Sequence, residues 1–355
     1  MVRPKVAIVL FNMGGPDRPE AIAPFLRNLF SDPAILGVPW PVRPVLARWI
    51  AARRLGPARV SYAHLDGRSP LLGQTEEQGR LLVSALPEIE VRAFIAMRYW
   101  APMSEEAARA VAEWDPDEIV LLPLYPHFST TTTGSSLAAW RQAAVAAGLA
   151  KETRTICCWY ADPAFVAAVT AMVARAIAEA RRALPPGTAL RMLFSAHGLP
   201  ERIIRAGDPY RMQVEKTMQA VVAALMASPG AEVPESRLCF QSRATPERWL
   251  QPSTDDEIRR AGAEQTALLV VPIAFVSEHS ETLVELDIDY RKLAEESGVP
   301  GYFRAPTPGV SELFIAALAG LVRQVRLLPP GLATLSGCGA CGPRHGRCLK
   351  EVVTA

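Results

Sequence analysis

The chain has 355 residues, of which 50% are hydrophobic and 21% are charged, and this composition excludes a disordered protein and suits two packed domains. The formal net charge of +2 argues against a nucleic-acid partner. The first apolar run, residues 6–11, is too short for a signal-peptide core or a membrane span, so we expect a cytoplasmic protein.

Short apolar runs alternate with amphipathic helical patterns along the chain, which predicts parallel sheets joined by crossover helices. The predicted strands cover residues 6–11, 91–96, 119–124, 191–195, 237–241 and 268–273. The clearest helical patterns cover residues 105–113, 164–183 and 209–227. Continuously apolar strands are typical of sheets that are covered on both faces. The predicted fold class is therefore α/β, with two doubly wound, Rossmann-like domains.

The two halves of the chain repeat three short patterns in the same order. Residues 10–16 align with 193–200, residues 92–98 with 237–243, and residues 121–125 with 270–274. The first alignment places Met13 near His197. This order predicts duplicated domains, although any two doubly wound domains share some strand, turn and helix patterns.

We expect the first domain at residues 1–160, the second at 161–310, and a cysteine-bearing tail at 329–355. A helix near 311–328 is expected to pack back onto the first domain, and residues 327–334 are interpreted as a linker. Ligands of such sheets bind beyond the carboxyl ends of the strands, so one cleft between the two domains is the expected site.

Residues 33–54 combine proline, tryptophan and aliphatic residues with interleaved arginines. The pattern predicts either a surface helix with one buried face or a basic, amphipathic lip that touches membrane lipid or an apolar substrate. The second alternative implies a cytoplasmic protein that contacts the inner membrane surface.

An acidic helical pattern follows the last strong strand. At about 100° per residue, one face carries the acids and the other carries apolar side chains. The acidic face consists of Glu278, Glu281, Glu285 and Asp289. Such a stripe is either solvated or binds cations.

His197 ends another predicted strand in a turn of small residues. A histidine with a glutamate can accept protons near neutral pH or bind a divalent metal, and the residues leave both roles open.

Six segments, in order and over nearly the whole chain, resemble the ferrochelatase family. They are residues 12–16, 98–99, 122–129 with 132–135, 195–197, 240–243 with 249–250, and 278–287. The resemblance implies two chelatase-type domains with four-stranded parallel sheets around a porphyrin cleft. It also implies a lyase that inserts ferrous iron into protoporphyrin IX to give protoheme, the terminal step of heme biosynthesis.

The resemblance also implies residue roles. His197 and Glu281 match the pair at the metal-insertion site, with His197 as proton acceptor and Glu281 as its polar partner and early iron contact. Residues that match substrate-binding positions are Met13 on the opposite wall, Arg98 and Ser129 near the propionates, Tyr125 lining the cleft, and Trp249. Residues Glu278, Glu285 and Asp289 match a path for iron or departing protons.

Two alternative functions are open to the sequence. One is a chelatase for a related tetrapyrrole such as coproporphyrin, or for another divalent metal. The other is a non-enzymatic iron-sulfur sensor or haem carrier on the same fold. The sequence does not determine the oligomeric state, and a homodimer is one possibility.

Three of the six cysteines, Cys338, Cys341 and Cys348, lie close together at the C-terminal end, which suggests metal binding rather than disulfides. Zinc with His345 is one interpretation. Some ferrochelatases hold a 2Fe-2S cluster with three such cysteines and one internal cysteine, and the tail is similar to theirs.

The internal ligand departs from that pattern. Thr130 stands where animal relatives have a cysteine, so the candidates become the adjacent Cys157 and Cys158. Neighbouring side chains of an extended segment point to opposite faces, so we expect one ligand and one buried residue, with Cys158 as the ligand. Cys239, inside an apolar strand, is expected in the core.

Overall fold

The computed structural model describes residues 3–230, 232–243, 245, 247–333, 335, 341 and 345–348. These residues form two compact units. The first contains residues up to Cys158 and, from the later chain, Leu318–Leu335. The second contains Trp159–Ala317 and the described tail residues.

The first unit is built on a five-stranded parallel sheet with the order β2-β1-β3-β4-β9. Its elements are β1 (Lys5–Asn12), a 3₁₀ turn (Pro19–Ala21), α1 (Ile22–Ser31), α2 (Arg43–Ala63), α3 (Leu71–Ser84), β2 (Glu90–Met97), α4 (Ser104–Trp114), β3 (Glu118–Pro123), α5 (Thr133–Ala146), β4 (Glu152–Ile156) and, from the later chain, β9 (Gly331–Ala333).

The second unit is built on a four-stranded parallel sheet with the order β6-β5-β7-β8. Its elements are α6 (Pro163–Ala183), β5 (Leu190–His197), α7 (Glu201–Arg205), α8 (Tyr210–Met226), β6 (Glu235–Gln241), α9 (Thr254–Ala263), β7 (Ala267–Pro272), a π-helix (Glu281–Asp289), α10 (Tyr290–Glu296) and β8 (Tyr302–Arg304). The next helix, α11 (Glu312–Arg326), begins in this unit and ends in the first.

These sheets confirm the α/β prediction of two similar, doubly wound parallel sheets. The first four strands of each follow the same order. Strands β3 and β7 are buried along their whole length, which explains why their sequences are continuously apolar.

The duplicated pattern also matches in register. Phe11 pairs with Pro123 across β1 and β3, and Ser195 pairs with Pro272 across β5 and β7. Because Met13 and His197 each lie two residues further along, they occupy corresponding positions of the two units.

The predicted linker at residues 327–334 is wrong, because Gly331–Ala333 forms β9 beside β4 and gives the first sheet a fifth strand. Three residues directly after two prolines carry no strand pattern, and only pairing with β4 defines them as a strand. The last turns of α11 are tied to the first unit by ion pairs of Arg323 with Glu88 and of Arg326 with Glu118.

Helix α6 is, among the described helices, the one that is long and apolar enough to cross a membrane by length and composition. In the structure it packs against α8 and the second sheet. Its Phe165 ring meets Trp159 edge-on at a centroid distance of 4.8 Å.

Candidate active site

The turn after β5 holds His197 in one orientation. Its Nδ1 lies 2.6 Å from the carbonyl oxygen of Gly198. Because a carbonyl oxygen only accepts, Nδ1 carries the proton, and the lone pair of the neutral ring resides on Nε2. That nitrogen lies 3.7 Å from Oε1 of Glu281.

Gly198 allows β5 and β6 to approach closely at this turn. Its N–H donates to the carbonyl oxygen of Gln241 at 2.7 Å. A Cβ at position 198 would lie 2.9 Å from that same oxygen. A glycine is therefore required directly after the histidine.

Two aromatic residues complete the surroundings of His197. The hydroxyl of Tyr210, at the start of α8, donates to the His197 carbonyl oxygen at 3.1 Å. The ring of Trp249 lies 6.4 Å from the imidazole, centroid to centroid. The predicted substrate residue Trp249 thus stands beside the predicted proton acceptor.

The segment that carries the acids is a π-helix over Glu281–Asp289 rather than the predicted regular α-helix. In a π-helix the backbone bonds join residues five apart, and Glu278 lies before the first residue of this helix, so the four predicted acids do not share one α-helical face. The four acids accordingly have different surroundings.

Glu281 and Glu285 face the end of β6. Gln241 donates through Nε2 to the Glu281 carbonyl oxygen and to Oε2 of Glu285, both at 3.1 Å. The Ser242 hydroxyl donates to the same Glu285 oxygen at 2.5 Å. Both glutamates are therefore held against the strand ends that also carry His197.

Burial, and secondly the Glu281 carboxylate, raise the pKa of Glu285 above its ordinary value, although hydrogen bonds from Ser242 and Gln241 act in the opposite direction. The nearby His279 lies with its Nε2 4.0 Å from Glu281. Burial lowers the pKa of His279, which keeps this ring neutral.

The other two acids of the predicted stripe lie elsewhere. Glu278 forms an ion pair with Arg304 at 3.0 Å, and Asp289 is exposed. Burial by itself would raise the pKa of Glu278, but Arg304 and hydrogen bonds outweigh it and hold the pKa below its ordinary value.

In the first unit, the predicted propionate residue Arg98 is bound to a buried acid. Its guanidinium forms an ion pair with Asp32 at 2.8 Å, and its Nε donates to Ser135 at 2.6 Å. The hydroxyls of Tyr99 and Ser135 also donate to Asp32. Asp32 is thus the centre of a polar network that orients Arg98.

The remaining predicted residues of the first unit differ in exposure: Tyr125 and Met13 are half-buried, and Ser129 is not exposed. Ser129 is fully buried, and its hydroxyl lies 2.9 Å from that of Thr131. Burial raises the pKa of Tyr125, so its hydroxyl stays protonated. Met13, whose backbone N–H donates to the Asn12 side chain at 2.8 Å, packs at the edge of the α1 and α2 core.

The described tail residues pack against the first turn of α8 and the loop before it. Gln213 Nε2 donates to Cys341 Sγ at 3.3 Å, and the Arg347 N–H donates to the Gly207 carbonyl oxygen at 3.3 Å. Cys348 is buried. The predicted ligand Cys338 lies outside the described residues.

The prediction that Cys158 rather than Cys157 is a ligand stays open. Cys157 and Cys158 are both buried, at 3% and 4% exposure, so burial does not distinguish a ligand from a core residue. Cys239 is fully buried, as predicted, and burial raises the pKa of its thiol to about 12. Within the described part of the chain, no three metal-binding side chains are grouped around one point.

Three residues that bond to predicted site residues were not themselves predicted from the sequence. Tyr210 and Asp32 stand in no periodic pattern that marks them as polar partners of a site. Gln241 had a usable signal, because it is the last residue of a strand whose carboxyl end faces the site.

The comparisons with known proteins agree on one family. A family profile named Ferrochelatase matches residues 5–326. A protein named Ferrochelatase from Phenylobacterium zucineum (strain HLK1) is 50% identical over 348 residues, covering 97% of each chain. Another of that name from Caulobacter vibrioides (strain NA1000 / CB15N) is 49% identical over 349 residues, again covering 97% of each.

Among solved structures, SirB from Bacillus subtilis with Fe3+ superposes with a TM-score of 0.51 at 11% identity. The match covers 91% of this chain and 95% of SirB. At that identity the likeness concerns the fold alone, which is of the chelatase type.

Proposed function

This chain belongs to the ferrochelatase family, and we propose that its His197 and Glu281 carry the proton transfer of that family's reaction. The enzyme inserts ferrous iron into a porphyrin for heme synthesis and is a lyase. The reaction replaces two pyrrole N–H protons by one dication, so two protons leave the macrocycle for each iron inserted.

The orientation of His197 carries the proposal. Because Nδ1 is bonded to the Gly198 carbonyl oxygen, Nε2 is the nitrogen that accepts a proton from the porphyrin. The Glu281 carboxylate at 3.7 Å stabilises the imidazolium that results. The pair also offers a nitrogen and an oxygen to the incoming ferrous ion.

Glu285 supports the second proton transfer. Its raised pKa makes this carboxyl a weaker acid than a solvent-exposed glutamate, so it can hold a proton nearer to neutral pH. The Gln241 amide donates to the Glu285 carboxylate and to the Glu281 backbone carbonyl oxygen, and so holds Glu285 at the same strand end as His197. Trp249 beside the imidazole provides an apolar surface for the macrocycle, and a cleft that favours a bent ring would expose the pyrrole lone pairs to the metal.

The test is an anaerobic metallation assay with ferrous iron and protoporphyrin IX. We expect His197→Ala to lower kcat by about 10²- to 10⁴-fold, the usual contribution of a positioned general base. The exposed His64 provides the control His64→Ala, for which we expect wild-type kcat. Metallation that survives His197→Ala would overturn the proposal. Coproporphyrin assayed in parallel determines the porphyrin preference, for which we propose protoporphyrin IX.

We propose in addition that the tail holds a 2Fe-2S cluster through Cys338, Cys341, Cys348 and Cys158. Two observations support the fit. A hydrogen bond from Gln213 to a cysteine sulfur is typical around thiolate ligands of clusters, and the buried Cys348 lies in the same tail. When bound, such a cluster supplies one-electron redox chemistry.

The visible spectrum of the purified protein tests the cluster. We expect absorption bands of a 2Fe-2S centre, and we expect Cys341→Ser to lose them. Colourless protein that contains zinc would overturn the proposal in favour of a zinc site that uses His345.

We further propose that α2 and the residues before it touch the cytoplasmic surface of a membrane. The apolar side chains there are unusually exposed, with Trp40 at 75%, Val45 at 71% and Trp49 at 56%. Arg53 lies over the Trp49 ring at 4.9 Å, so a cation accompanies the aromatic surface. Exposed tryptophan beside arginine suits the interface between apolar lipid and anionic headgroups. The protein is then cytoplasmic and peripheral.

A further inference from the structure

The π-helix that carries Glu281 and Glu285 requires support from outside its own backbone. π-Helical turns are rare in proteins and occur mostly at functional sites, where other contacts stabilise them. The backbone N–H of Tyr290 still donates to the Glu285 carbonyl oxygen, five residues back.

Strand β8 supplies two side chains that bond to the π-helix. Tyr302 and Arg304 are two residues apart in a strand and so point to the same side of the sheet. The Tyr302 hydroxyl donates to the Leu286 carbonyl oxygen at 2.7 Å, near the point where the π-helix passes into α10. Arg304 donates to both carboxylate oxygens of Asp287, through Nε and through a terminal nitrogen, each at 2.7 Å.

Arg304 also reaches the other end of the acidic segment. Its second terminal nitrogen donates to Glu278 at 3.0 Å, and the Thr307 N–H donates to the same oxygen at 2.9 Å. The guanidinium therefore joins a residue three positions before Glu281 to a residue two positions after Glu285. All of these groups belong to the second unit.

This arrangement divides four acids of the segment 278–287 into two pairs. Glu278 and Asp287 are bonded to a guanidinium that is only 11% exposed. Glu281 and Glu285 have no arginine or lysine partner among the described residues, and they face His197, Gln241 and Ser242 instead. A bidentate guanidinium bond fixes orientation as well as charge.

We infer that Arg304 is a positioning residue for metallation: with Tyr302, it clamps the segment just before the π-helix to the later turns of that helix and so sets the Glu281 carboxylate opposite His197. The inference rests on the proposed roles of His197 and Glu281. It also removes Glu278 from the predicted iron path, because that carboxylate is engaged by the clamp.

Lysine and glutamine substitutions at position 304 separate the effect of the guanidinium geometry from the effect of its positive charge. A lysine keeps the positive charge but cannot bond two carboxylates in the fixed fork of a guanidinium. We expect Arg304→Lys to lower kcat about tenfold or more, since small displacements of catalytic groups have effects of this size. The KM for porphyrin should remain within about twofold, because the clamp touches no predicted porphyrin contact.

Arg191 offers a matched control. It also bridges two carboxylates, Glu235 and Glu264, at 2.6 Å each, but it lies at the start of β5, away from His197 at its end. We expect Arg191→Lys to keep wild-type kcat. Equal losses of kcat in the two lysine variants would show a general effect on stability and would overturn the inference.

Hydrogen exchange of the peptide covering 281–290 is measured in the same variants. We expect faster exchange there in Arg304→Lys and in Tyr302→Phe, which removes only one hydroxyl, and unchanged exchange in Arg191→Lys. Unchanged exchange together with wild-type kcat in both β8 variants would overturn the inference. If Arg304→Gln does not fold, these milder variants still test it.

The two measurements separate this inference from the proposed function. Faster exchange in Arg304→Lys, combined with full activity of His197→Ala, would leave the clamp standing and reject the proposed catalytic pair. Loss of activity in His197→Ala with no effect of either β8 substitution would reject the clamp alone.

Discussion

Nε2 of His197 and Oε1 of Glu281 are 3.7 Å apart, which is longer than a hydrogen bond but short enough for strong attraction once the imidazole is protonated. The neutral ring thus retains an available lone pair, and the carboxylate attracts the ring strongly only after proton transfer. The roles of the two residues can therefore be tested by separate substitutions.

Replacing Glu281 by glutamine should therefore weaken catalysis while the imidazole stays in place. Glu281→Gln removes the charge that stabilises the imidazolium formed by proton transfer. We expect kcat near neutral pH to drop by about 10²-fold. Steady-state metallation kinetics measure this, and a kcat equal to that of the wild type would contradict the electrostatic role of Glu281.

The buried carboxyl of Glu285 should make the protein less stable as pH rises. Its pKa in the folded protein lies above the unfolded value because of burial, so the folded state binds the proton more tightly. The resulting stability is fully present below the unfolded pKa and is lost as pH rises through the folded pKa.

We therefore expect Glu285→Gln to raise Tm at pH 8 and to have less effect at pH 5. The exposed Asp289, on the same π-helix, gives the control Asp289→Asn, for which Tm should not change. Thermal melts across this range decide the matter, and an equal shift of Tm at both pH values would reject the role of burial.

The Gln213 amide should raise the reduction potential of the proposed cluster. Its N–H lies 3.3 Å from Cys341 Sγ, and hydrogen bonds to ligand sulfur stabilise the reduced, more negative state. We expect Gln213→Leu to lower the reduction potential while keeping the visible bands. Potentiometry followed by electron paramagnetic resonance measures this, and Gln219→Leu on the same helix α8 is the control. A potential identical to wild type would show that the amide does not affect the cluster.

Position 198 should tolerate no side chain. A Cβ there would meet the Gln241 carbonyl oxygen at 2.9 Å, so Gly198→Ala should cost about 1 to 3 kcal/mol of unfolding free energy and displace His197. The control is Gly73→Ala in α3, where a Cβ meets nothing within 4 Å and should stabilise the helix by about 0.5 to 1 kcal/mol. Denaturant titration compares the two, and a neutral Gly198→Ala would contradict the close approach of β5 and β6.

Membrane contact should depend on both the arginines and the exposed tryptophan of α2. Each arginine near an anionic bilayer contributes about 1 kcal/mol, so Arg53→Gln with Arg54→Gln should weaken binding to phosphatidylserine vesicles by about 30-fold. Trp49→Ala should weaken it further, whereas Val145→Ala, at an exposed apolar residue of α5, should not. Vesicle co-sedimentation measures the affinities, and binding that is unaffected by all three α2 substitutions would reject the proposed surface.

Each of the six predicted strands is present within two residues of its predicted ends. Four of them, β1, β3, β5 and β7, are buried along nearly their whole length, which accounts for their apolar runs, whereas β2 and β6 are buried mainly toward their carboxyl ends. Strands β4, β8 and β9 were missed. They are short or partly exposed, and their pairing partners decide them.

The position of His197 was predictable for a similar reason. It follows a buried strand, and carboxyl ends of parallel strands are where sites form. Its partners Tyr210 and Gln241 come from separate elements, and no spacing along the chain reports that they bond to its carbonyl oxygen or to the turn beside it. The π-helix was equally hidden, because its apolar residues have spacings that an α-helix would also have.

The sequence by itself determined the family, the two parallel sheets and the histidine at the end of β5, since these depend on buried apolar runs and on motifs that are contiguous in the chain. Only the tertiary structure decided which acid lies opposite His197 and which acids pair with an arginine. Arg304, distant in sequence from Glu278, engages that residue and Asp287, while Glu281 remains opposite His197. The physical reason is that an ion pair forms according to distance in space, which a pattern along one helix does not contain.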